Sequence, residues 1–520
     1  MKKYILFLMV FLWIIPSYAE TTIDSTADHS KFEELDRVFT DATQITEACL
    51  SCHTESAKQI HKTTHWNWQY INPQTQQKLG KKNIFNNFCI SPTSNYTFCA
   101  SCHIGYGFKD ESFDFSSQNN VDCLACHDTT ATYKKLPGFS GHPLYEALTK
   151  NGKIIQPPDL TLIAKNVGKT SRATCGACHF YGGGGNAVKH GDLDSSLKDP
   201  NYALDVHMDK KGLDFNCAEC HTSDNHNISG SRYNITAKDN KKAIIKGQKT
   251  NRTKSTCQAC HSNNPHDTSR LNNHSKKIAC QTCHIPTYAR GGIQTKMTWD
   301  WSTAGKLDKS GKPITIKDSG GRNAYLSKKG DFSWDSYVIP EYRWFNGKVK
   351  FIEKKEKIDP TKTVSINKFY GSYDDGKSKI WPLKIFRGKQ PYDKKYLHLL
   401  IPHTAGKDDS AFWGNYDWEK SFKFGADVSG VKYSGEYDFA TTQMSWPITH
   451  MVAPKYDALD CKQCHRENSR LKNIKGVYMP AAHNIKWLDN IMTIIVLLTL
   501  GGVFIHGFIR LFLFYKRDKK

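Results

Sequence analysis

Hydrophobic residues form long continuous runs only near the two ends of the chain. The first run reads YILFLMVFLWII over residues 4–15; two lysines precede it, and Ser-Tyr-Ala comes directly before Glu20. A short apolar stretch with a basic start and small residues at its end is typical of a secretory signal peptide. The pattern predicts a signal peptide over residues 1–19, cleaved after Ala19, with a retained anchor as the alternative. Either way, the region that follows is exported.

The second apolar run lies at the other end of the chain, over residues 491–509. Nineteen residues are enough to cross a bilayer as a helix. Trp487 and Tyr515 flank the run where interfacial aromatic residues belong, and four basic residues follow within 516–520. The pattern predicts a transmembrane helix over 487–515 and a cytoplasmic basic tail over 516–520.

Between the two runs, hydrophobic residues occur in short groups separated by Gly, Pro, Asn, Asp and Lys, and apolar residues at helical spacing are scarce. Short helices and loops are therefore expected. The same stretch contains all 17 cysteines, and sixteen of them fall into eight Cys-x-x-Cys-His units. The units are Cys49/Cys52/His53, Cys99/Cys102/His103, Cys123/Cys126/His127, Cys175/Cys178/His179, Cys217/Cys220/His221, Cys257/Cys260/His261, Cys280/Cys283/His284 and Cys461/Cys464/His465.

This repeated unit is the signature of covalent c-type haem attachment. Two thiols at this spacing bond one porphyrin, and the histidine that follows supplies an axial imidazole to its iron. A disulfide framework does not need a histidine after each pair, and zinc sites do not need eight identical units. The sequence thus predicts eight covalently bound haem c groups on an exported protein, placed in the periplasm and tethered to the inner membrane.

The charge balance is consistent with this interpretation. The formal charge of +22 and the hydrophobic content of 38% would otherwise suggest a nucleic-acid-binding protein with a poor core. Haem propionates, two on each haem, offset much of the positive charge, and the flat porphyrins replace part of the apolar core. We therefore expect no nucleic-acid partner, while a locally basic cleft for an anionic substrate stays possible.

Five segments follow the signal peptide, of which the last two are the membrane helix and the tail. Residues 20–286 form a haem core with seven motifs, and 446–486 return the chain to it with the eighth motif. Residues 287–445 carry no motif but hold seven of the 12 tryptophans. They are expected to form short strands and loops that wrap the core without chemistry of their own, including a hairpin turning at Asn346-Gly347. The fold class is a multihaem cytochrome c of short α-helices and loops around eight haems, with this β/loop-rich wrapping region and the C-terminal membrane helix.

Eight irons need eight distal positions, and fourteen histidines lie outside the motifs. A haem with histidine on both faces suits electron transfer, whereas substrate chemistry needs an open or displaceable position. The predicted distal ligands are His65, His190, His207, His226, His266, His274 and His450. His61 and His142 are substitutes, and His29, His398, His403 and His483 are expected to be surface or packing residues.

If seven haems have two histidines, one lacks a distal imidazole, and Lys189 becomes its candidate ligand. A lysine binds iron only as the neutral amine, which requires a lowered pKa. Lys189 follows Gly182–Gly185, a stretch whose backbone can approach a flat ligand closely. Cys89 is the one cysteine outside the motifs. It is either an inert buried residue or a thiol at the reactive haem.

The chain resembles the octahaem c-type cytochromes of the tetrathionate reductase family over nearly all of its exported region. The resemblance rests on eight strings: HWNW (65–68), CASCHIGYG (99–107), DCLACHD (122–128), CGACHFYGGGGNAVKHGDLD (175–194), DVHM (205–208), ACQTCHIP (279–286), TKMTWDWS (295–302) and HMVAP (450–454).

This resemblance implies one catalytic haem with a lysine as distal ligand, for which Lys189 is the matching residue, and a cysteine in the catalytic pocket, for which Cys89 is the candidate. Family members usually have Asp at the position of Asn186, so this chain lacks the carboxylate that the resemblance would place near the site for proton delivery. Lys189, Cys89, Asn186 and His190 are the predicted catalytic residues. The family pattern favours the motif at Cys99 as the catalytic haem site, with the motif at Cys175 as the alternative.

Three functions are compatible with these features. The first is multi-electron reduction of tetrathionate, nitrite or hydroxylamine, supplied with electrons by a quinol-oxidising cytochrome b or a c-type cytochrome. The second is a non-catalytic electron conduit, which predicts two histidines on every iron. The third is hydroxylamine oxidation. The sequence leaves the oligomeric state open.

Overall fold

The structure, a computed structural model, describes residues 27–150, 152–238, 255–479 and 485–518. The predicted signal peptide lies outside these residues, as do His483 and the last two residues of the basic tail.

Helices in the haem core are short, as the broken hydrophobic pattern predicts. The α-helices are α1 Ala42–Cys52, α2 Ser56–Ile60, α3 Thr64–Asn67, α4 Tyr96–Cys99, α5 Leu124–His127, α6 Leu160–Lys165, α7 Arg172–His179, α8 Cys217–Cys220, α9 Ser269–Ser275, α10 Cys280–His284, α11 Phe412–Asn415, α12 Trp418–Ser429, α13 Cys461–Cys464 and α14 Lys486–Arg517. Most of the haem motifs lie on or beside one of these helices, so the local helical turn sets the spacing of the thiols and imidazole.

Strands are concentrated in the part of the chain without motifs. They are β1 Tyr70–Ile71, β2 Lys78–Leu79, β3 Leu148–Lys150, β4 Lys153–Ile155, β5 Ser223–Asp224, β6 Asn227–Ile228, β7 Thr295–Asp300, β8 Thr315–Lys317, β9 Asn323–Leu326, β10 Gly330–Asp335, β11 Glu341–Phe345, β12 Val349–Phe351, β13 Val364–Ser365, β14 Asn367–Phe369, β15 Lys379–Asp393 and β16 Tyr437–Pro447.

Eight of these strands form one sheet in the order β13-β16-β15-β7-β10-β9-β8, with β11 also paired to β15. Strand β15 is the centre of the sheet: it runs antiparallel to β16 from Leu383 to Asp393 and parallel to β7 at Arg387–Lys389. Short strands and loops were expected for this region. The structure instead has one eight-stranded sheet, with strands as long as β15, of 15 residues, and β16, of 11 residues. The pairings that build the sheet join segments far apart in sequence, which local patterns do not reveal.

The hairpin predicted at Asn346-Gly347 is wrong. Strands β11 and β12, which flank these residues, do not pair with each other; β11 pairs with β15 and β12 with β14. A type I′ turn needs positive φ at both central residues. Only Gly347 has it, with φ of 97°, and the Asn346 backbone N–H donates instead to the Tyr370 carbonyl. Pairing with distant strands therefore replaced the local turn.

The sheet packs over the largest apolar cluster among the described residues, which includes Trp299, Trp301, Phe386, Phe412 and Trp446. Phe88 and Ile90 from the haem core and Val188 from the Lys189 loop join the same cluster. The sheet is therefore continuous with the packing of the haem region and brings β7 and β15 beside residue 189.

The C-terminal helix α14 contains 32 residues, has a mean hydropathy of 2.2 over its most apolar window and buries none of that window against the protein. Its bounds contain the predicted span 487–515. By length and composition it can cross a membrane.

Candidate functional site

In most motifs one helical turn brings the histidine onto the face of its first cysteine. The backbone N–H of His53, His221 and His465 donates to the carbonyl of the cysteine four residues earlier at 2.8–2.9 Å. Residues four apart on a helix share a face. The two thiols and the imidazole of such a unit therefore project to one side of the chain.

Four of the predicted haem-binding cysteines are exposed rather than enclosed in a core: Cys52, Cys220, Cys260 and Cys461. Cys260 departs most from the expected thiol on a short α-helix. It ends a 3₁₀ turn over Cys257–Ala259, with φ of −120° and ψ of −35°. The residues that follow it, 261–267, are all polar apart from one proline. The His261 N–H still donates to the Cys257 carbonyl at 2.8 Å, as in the motifs at Cys49, Cys217 and Cys461.

Seven of the eight motif histidines face a second imidazole. The ring centroids are 6.0–6.5 Å apart in each pair. The pairs are His53 with His29, His127 with His226, His179 with His65, His221 with His450, His261 with His207, His284 with His266, and His465 with His274.

This spacing fits a six-coordinate iron. A metal between two imidazole nitrogens, with bonds of about 2 Å, separates the ring centres by about 6 Å. None of the 17 cysteines, all of which lie in the described residues, forms a disulfide, and within the same residues no three His, Cys, Asp or Glu side chains form another metal cluster. The residues present therefore fit covalent haem, held by the motif cysteines and by these histidine pairs.

Six of the seven predicted distal histidines lie opposite a motif histidine, and the exception is His190. The seventh pair is instead formed by His29, whose ring stacks against that of His53 with an interplanar angle of 23°. The sequence suggested a surface role for His29, because it lies in a polar stretch with no motif nearby. The substitutes are engaged elsewhere: His61 stacks on Trp66, and His142 bonds the Tyr145 hydroxyl.

The motif at Cys99 departs from the others. The His103 N–H donates to the carbonyl of Ala100 rather than Cys99, in a 3₁₀ turn, and the His103 backbone is extended. Its Nε2 lies 2.6 Å from the Trp66 carbonyl oxygen, and its ring is enclosed by aromatic side chains. Those side chains are Trp66, Trp68, Phe108, Phe113 and Phe115. His103 Nε2 is thus paired with a carbonyl oxygen and not with a second imidazole, and its role as an iron ligand stays a prediction.

The motifs follow one another in a line through the protein. Cysteines of successive motifs are near neighbours, so their thiols influence each other's pKa. The neighbouring pairs are Cys49 and Cys123, Cys126 and Cys175, Cys175 and Cys217, Cys220 and Cys257, Cys257 and Cys280, and Cys283 and Cys464. The motif at Cys99 lies beside this line, with Cys102 next to Cys178.

Cys89 and the glycine-rich loop lie together. The Cys89 thiol donates to the Gly183 carbonyl at 3.5 Å. Gly184 has φ of 85°, and a Cβ on it would lie 3.2 Å from Cys89 Sγ. Glycine is needed here by both the backbone conformation and the contact. Burial raises the pKa of the Cys89 thiol, and Lys329, Lys296 and Lys81 oppose that rise.

Lys189 lies deep in the protein, although its side chain keeps some accessible surface. Burial lowers the pKa of its amine well below the usual value, and the charges of Arg232 and Lys81 lower it further. Cys102 of the second motif is close enough to act in the opposite direction. The Lys189 amine is therefore poised to be neutral, the form that can bind a metal.

The other two predicted catalytic residues have different surroundings. Asn186 donates through Nδ2 to Ser195 Oγ at 2.6 Å, and its Oδ1 accepts from the Ser195 N–H at 3.0 Å. Its amide therefore stabilises the loop instead of pointing towards Lys189. The ring of His190 lies 5.0 Å from that of Trp446, and burial lowers its pKa well below the usual value.

Several residues around Lys189 come from segments in which the sequence analysis predicted no catalytic or binding residue. Trp446 places its ring centroid 5.2 Å from Lys189 Nζ and 4.8 Å from the Arg232 guanidinium. Thr295 and Lys384, from β7 and β15, contact the backbone of the Lys189 loop. Of these residues, only Thr295 lies in one of the strings that carry the family resemblance, at 295–302. Lys384 is a single buried lysine inside a strand, and such a residue belongs to no recognisable sequence motif.

Comparisons with known proteins identify similar cytochromes. Residues 48–128 match the family described as cytochrome c554 and c-prime, and residues 296–468 match bacterial cytochrome c. An uncharacterized protein of Archaeoglobus fulgidus is 25% identical over 241 residues, which cover 38% of this chain and 79% of that protein.

A solved structure is similar over almost the whole described chain. The crystal structure of octaheme cytochrome c from Shewanella oneidensis is 41% identical, with a TM-score of 0.75, and the match covers 87% of this chain and 97% of that one. Together with the cysteine motifs and the imidazole pairs, this similarity leads to one conclusion: the chain belongs to the octahaem cytochrome c family and carries covalent haem c.

Proposed function

We propose that this protein is a periplasmic octahaem reductase, anchored by α14, which reduces tetrathionate, nitrite or hydroxylamine at a haem attached to Cys99 and Cys102 and ligated by Lys189. When bound, the haems supply electron transfer, and the one beside Lys189 supplies an iron at which a small substrate is reduced. The contrast between seven paired motif histidines and the eighth, His103, is the observation that carries the proposal.

The turned-away imidazole of His103 changes the expected role of Lys189. If His103 does not bind iron, a neutral Lys189 amine is sufficient as the single protein ligand, and it need not leave for substrate to bind. With a histidine on the other face of the iron, Lys189 would instead have to be displaced or to shift before substrate could bind. The orientation of His103 favours a lysine that stays in place and helps to hold the site.

Basic side chains surround the same region, and burial lowers the pKa of Lys296 and Lys329. Lys81 and Arg232 act on Lys189, and Lys81, Lys296 and Lys329 act on Cys89. Cationic groups in an enclosed site stabilise negative charge that develops as a bond breaks. They suit an anion such as tetrathionate, whose two-electron reduction cleaves one S–S bond and releases two thiosulfates, and they suit nitrite equally well.

The Cys89 thiol is adjacent to this region, and it stays protonated at neutral pH because burial raises its pKa. A thiol is a weak nucleophile compared with a thiolate. A protonated Cys89 is therefore better suited to donate a proton to the substrate or to contact it than to attack a sulfur chain as a nucleophile.

The test is a turnover assay on the purified haem-loaded protein with reduced viologen as electron donor. Oxidation of viologen by tetrathionate, nitrite or hydroxylamine is expected, and comparing the three identifies the substrate. Failure of all three would contradict a reductase. Haem content by mass spectrometry tests the proposed number of eight.

A non-catalytic electron conduit is the second candidate, because seven paired motifs in a line suit electron transfer. It requires a closed eighth iron. Electron paramagnetic resonance spectroscopy of the oxidised protein distinguishes the conduit from the reductase. A ferric haem signal that changes when nitrite or tetrathionate is added favours the reductase.

The membrane helix suggests how electrons arrive. The motif at Cys461 is the last before α14, so this end of the line is nearest to the anchor in sequence. We propose that a quinol-oxidising cytochrome b or a c-type cytochrome donates there. Reduction of the protein by quinol in membranes, but not after removal of residues 486–520, would support this partner.

A further inference from the structure

Four consecutive carbonyl groups at Lys189 are held from one side by the sheet. The Ala187 carbonyl accepts from Thr295 Oγ1 at 2.7 Å and from the Lys296 N–H at 3.2 Å. The Val188 and Lys189 carbonyls accept from Lys384 Nζ at 3.1 and 3.4 Å. The His190 carbonyl lies 3.2 Å from Thr295 Oγ1. This segment belongs to no helix or strand. Its own N–H groups at Ala187 and Val188 donate to the Phe180 and Gly185 carbonyls at 3.2 and 3.4 Å, and the donors from the sheet hold its carbonyl side.

The two side chains also contact each other. Lys384 Nζ lies 2.6 Å from Thr295 Oγ1, and both residues are fully buried. Burial lowers the pKa of Lys384 to about 7. In its protonated form the amine has three donors, which match the two carbonyls and one hydroxyl around it. Since β7 and β15 are paired in the central sheet, the donors are fixed by rigid elements.

We infer that Lys384 and Thr295 are positioning residues that fix the Lys189 amine for its role at the reactive haem. This inference rests on the proposed function, because it assumes that Lys189 binds iron. Neither residue touches the amine itself; they act on the backbone at 187–190. Ala187 has φ of 58°, a conformation that a non-glycine residue keeps only when its surroundings impose it.

A misplaced ligand should affect catalysis more than overall stability. A displacement of about 1 Å in a catalytic group can lower the rate about 100-fold. Thr295→Val keeps the shape of the side chain but removes the hydroxyl. Lys384→Met keeps most of the length but removes the donors. Each is expected to lower kcat by about 10- to 100-fold, with a smaller change in KM, and to alter the spectrum of the Lys189-ligated haem.

The experiment uses the haem-loaded full chain and includes two controls. Thr442→Val removes a fully buried hydroxyl on β16 that has no hydrogen-bond partner among the described residues, so it reports the general effect of this exchange in the same sheet. Thr295→Ser restores the hydroxyl and should recover most of the rate and the native spectrum.

Lys189→Ala separates the two possible failures. If Lys189→Ala leaves the spectrum unchanged, the proposed ligation is wrong. If Lys189→Ala changes the spectrum while Thr295→Val and Lys384→Met match Thr442→Val in spectrum and kcat, the positioning role is wrong and the ligation stands. Should Lys384→Met fail to fold, Thr295→Val and its Ser rescue decide the question alone.

Discussion

The Nε2 atom of His103 lies 2.6 Å from the carbonyl oxygen of Trp66. It is the one motif histidine whose ring faces a cage of aromatic side chains instead of a second imidazole. The pairing leaves its Nδ1 without a hydrogen-bond partner in the described residues. Burial lowers the pKa of His103 to about 3, so the ring is neutral, as its packing requires.

We predict that His103→Phe leaves the spectrum and reductase activity of the eighth haem within about twofold of the wild type, because a ring that is not an axial ligand contributes packing only. The measurement is optical and magnetic resonance spectroscopy at equal haem content, determined by mass spectrometry. His179→Phe is the matched control, since it removes a paired imidazole and should change the spectrum. A new high-spin signal in His103→Phe would show that His103 does bind iron.

Replacement of the proposed ligand should have the opposite result. Lys189→Ala is expected to lower kcat/KM by at least about 100-fold and to change the spectrum of one haem only, because the other irons keep both histidines. Viologen-driven turnover and magnetic resonance spectra check this. Lys389→Ala, an exposed lysine on β15 paired with Asp300, is the control and should behave as wild type.

The close approach of Gly184 to Cys89 leads to a prediction about the free energy of unfolding. Gly184→Ala combines positive φ, worth roughly 1–2 kcal/mol of strain for a residue with a Cβ, with a tight contact on Cys89 Sγ. It should lower the free energy of unfolding and reduce activity by shifting the loop. Gly138→Ala isolates the strain, because Gly138 has φ of 102° and open space where the Cβ would lie. Equal effects of the two variants on stability and turnover would contradict a role for the Cys89 contact.

A buried ion pair beneath the second motif should contribute strongly to stability. Asp122 and Lys135 lie 2.7 Å apart, and both side chains are almost fully buried; Lys135 also donates to the His103 carbonyl. Asp122→Asn leaves a buried cation uncompensated, so we expect it to lower the free energy of unfolding by about 3–5 kcal/mol. Chemical denaturation measures this.

The exposed pair Glu55 and Lys58 has the same 2.7 Å separation and serves as the control. Glu55→Gln should cost about 0–1 kcal/mol, since solvent screens an exposed pair. A cost for Asp122→Asn as small as that of Glu55→Gln would mean that Lys135 reaches water when its partner is lost.

Haem attachment was readable from the sequence because Cys-x-x-Cys-His is local: spacing, thiols and imidazole lie within five residues. Distal partners were partly readable, since histidines are few and most lie in the haem core. His29 was missed because its position opposite His53 depends on how the N-terminal segment folds back. The orientation of His103 was invisible for a similar reason, since it depends on Trp66 and on phenylalanines that gather only in the folded protein.

The sheet, too, depends on contacts between segments that are distant in sequence. Strand β15 pairs with segments on both sides of it in sequence, and Lys384 and Thr295 acquire a role only after β15 and β7 come together. Patterns within a window of ten or fifteen residues predict neither relationship. Residues that support a site from a distant strand are found by their hydrogen bonds, not by their spacing.

The length of α14 has a mechanical consequence. Its 32 residues, at about 1.5 Å each, extend roughly 48 Å, while a bilayer core is about 30 Å thick. A helix that crosses such a core must either lean steeply or extend beyond the lipid as a stalk. Acidic and basic residues lie towards its ends, at Lys486, Asp489, Arg510, Lys516 and Arg517; in a helix that crosses a membrane, the excess length would act as a spacer between the lipid and the last motif.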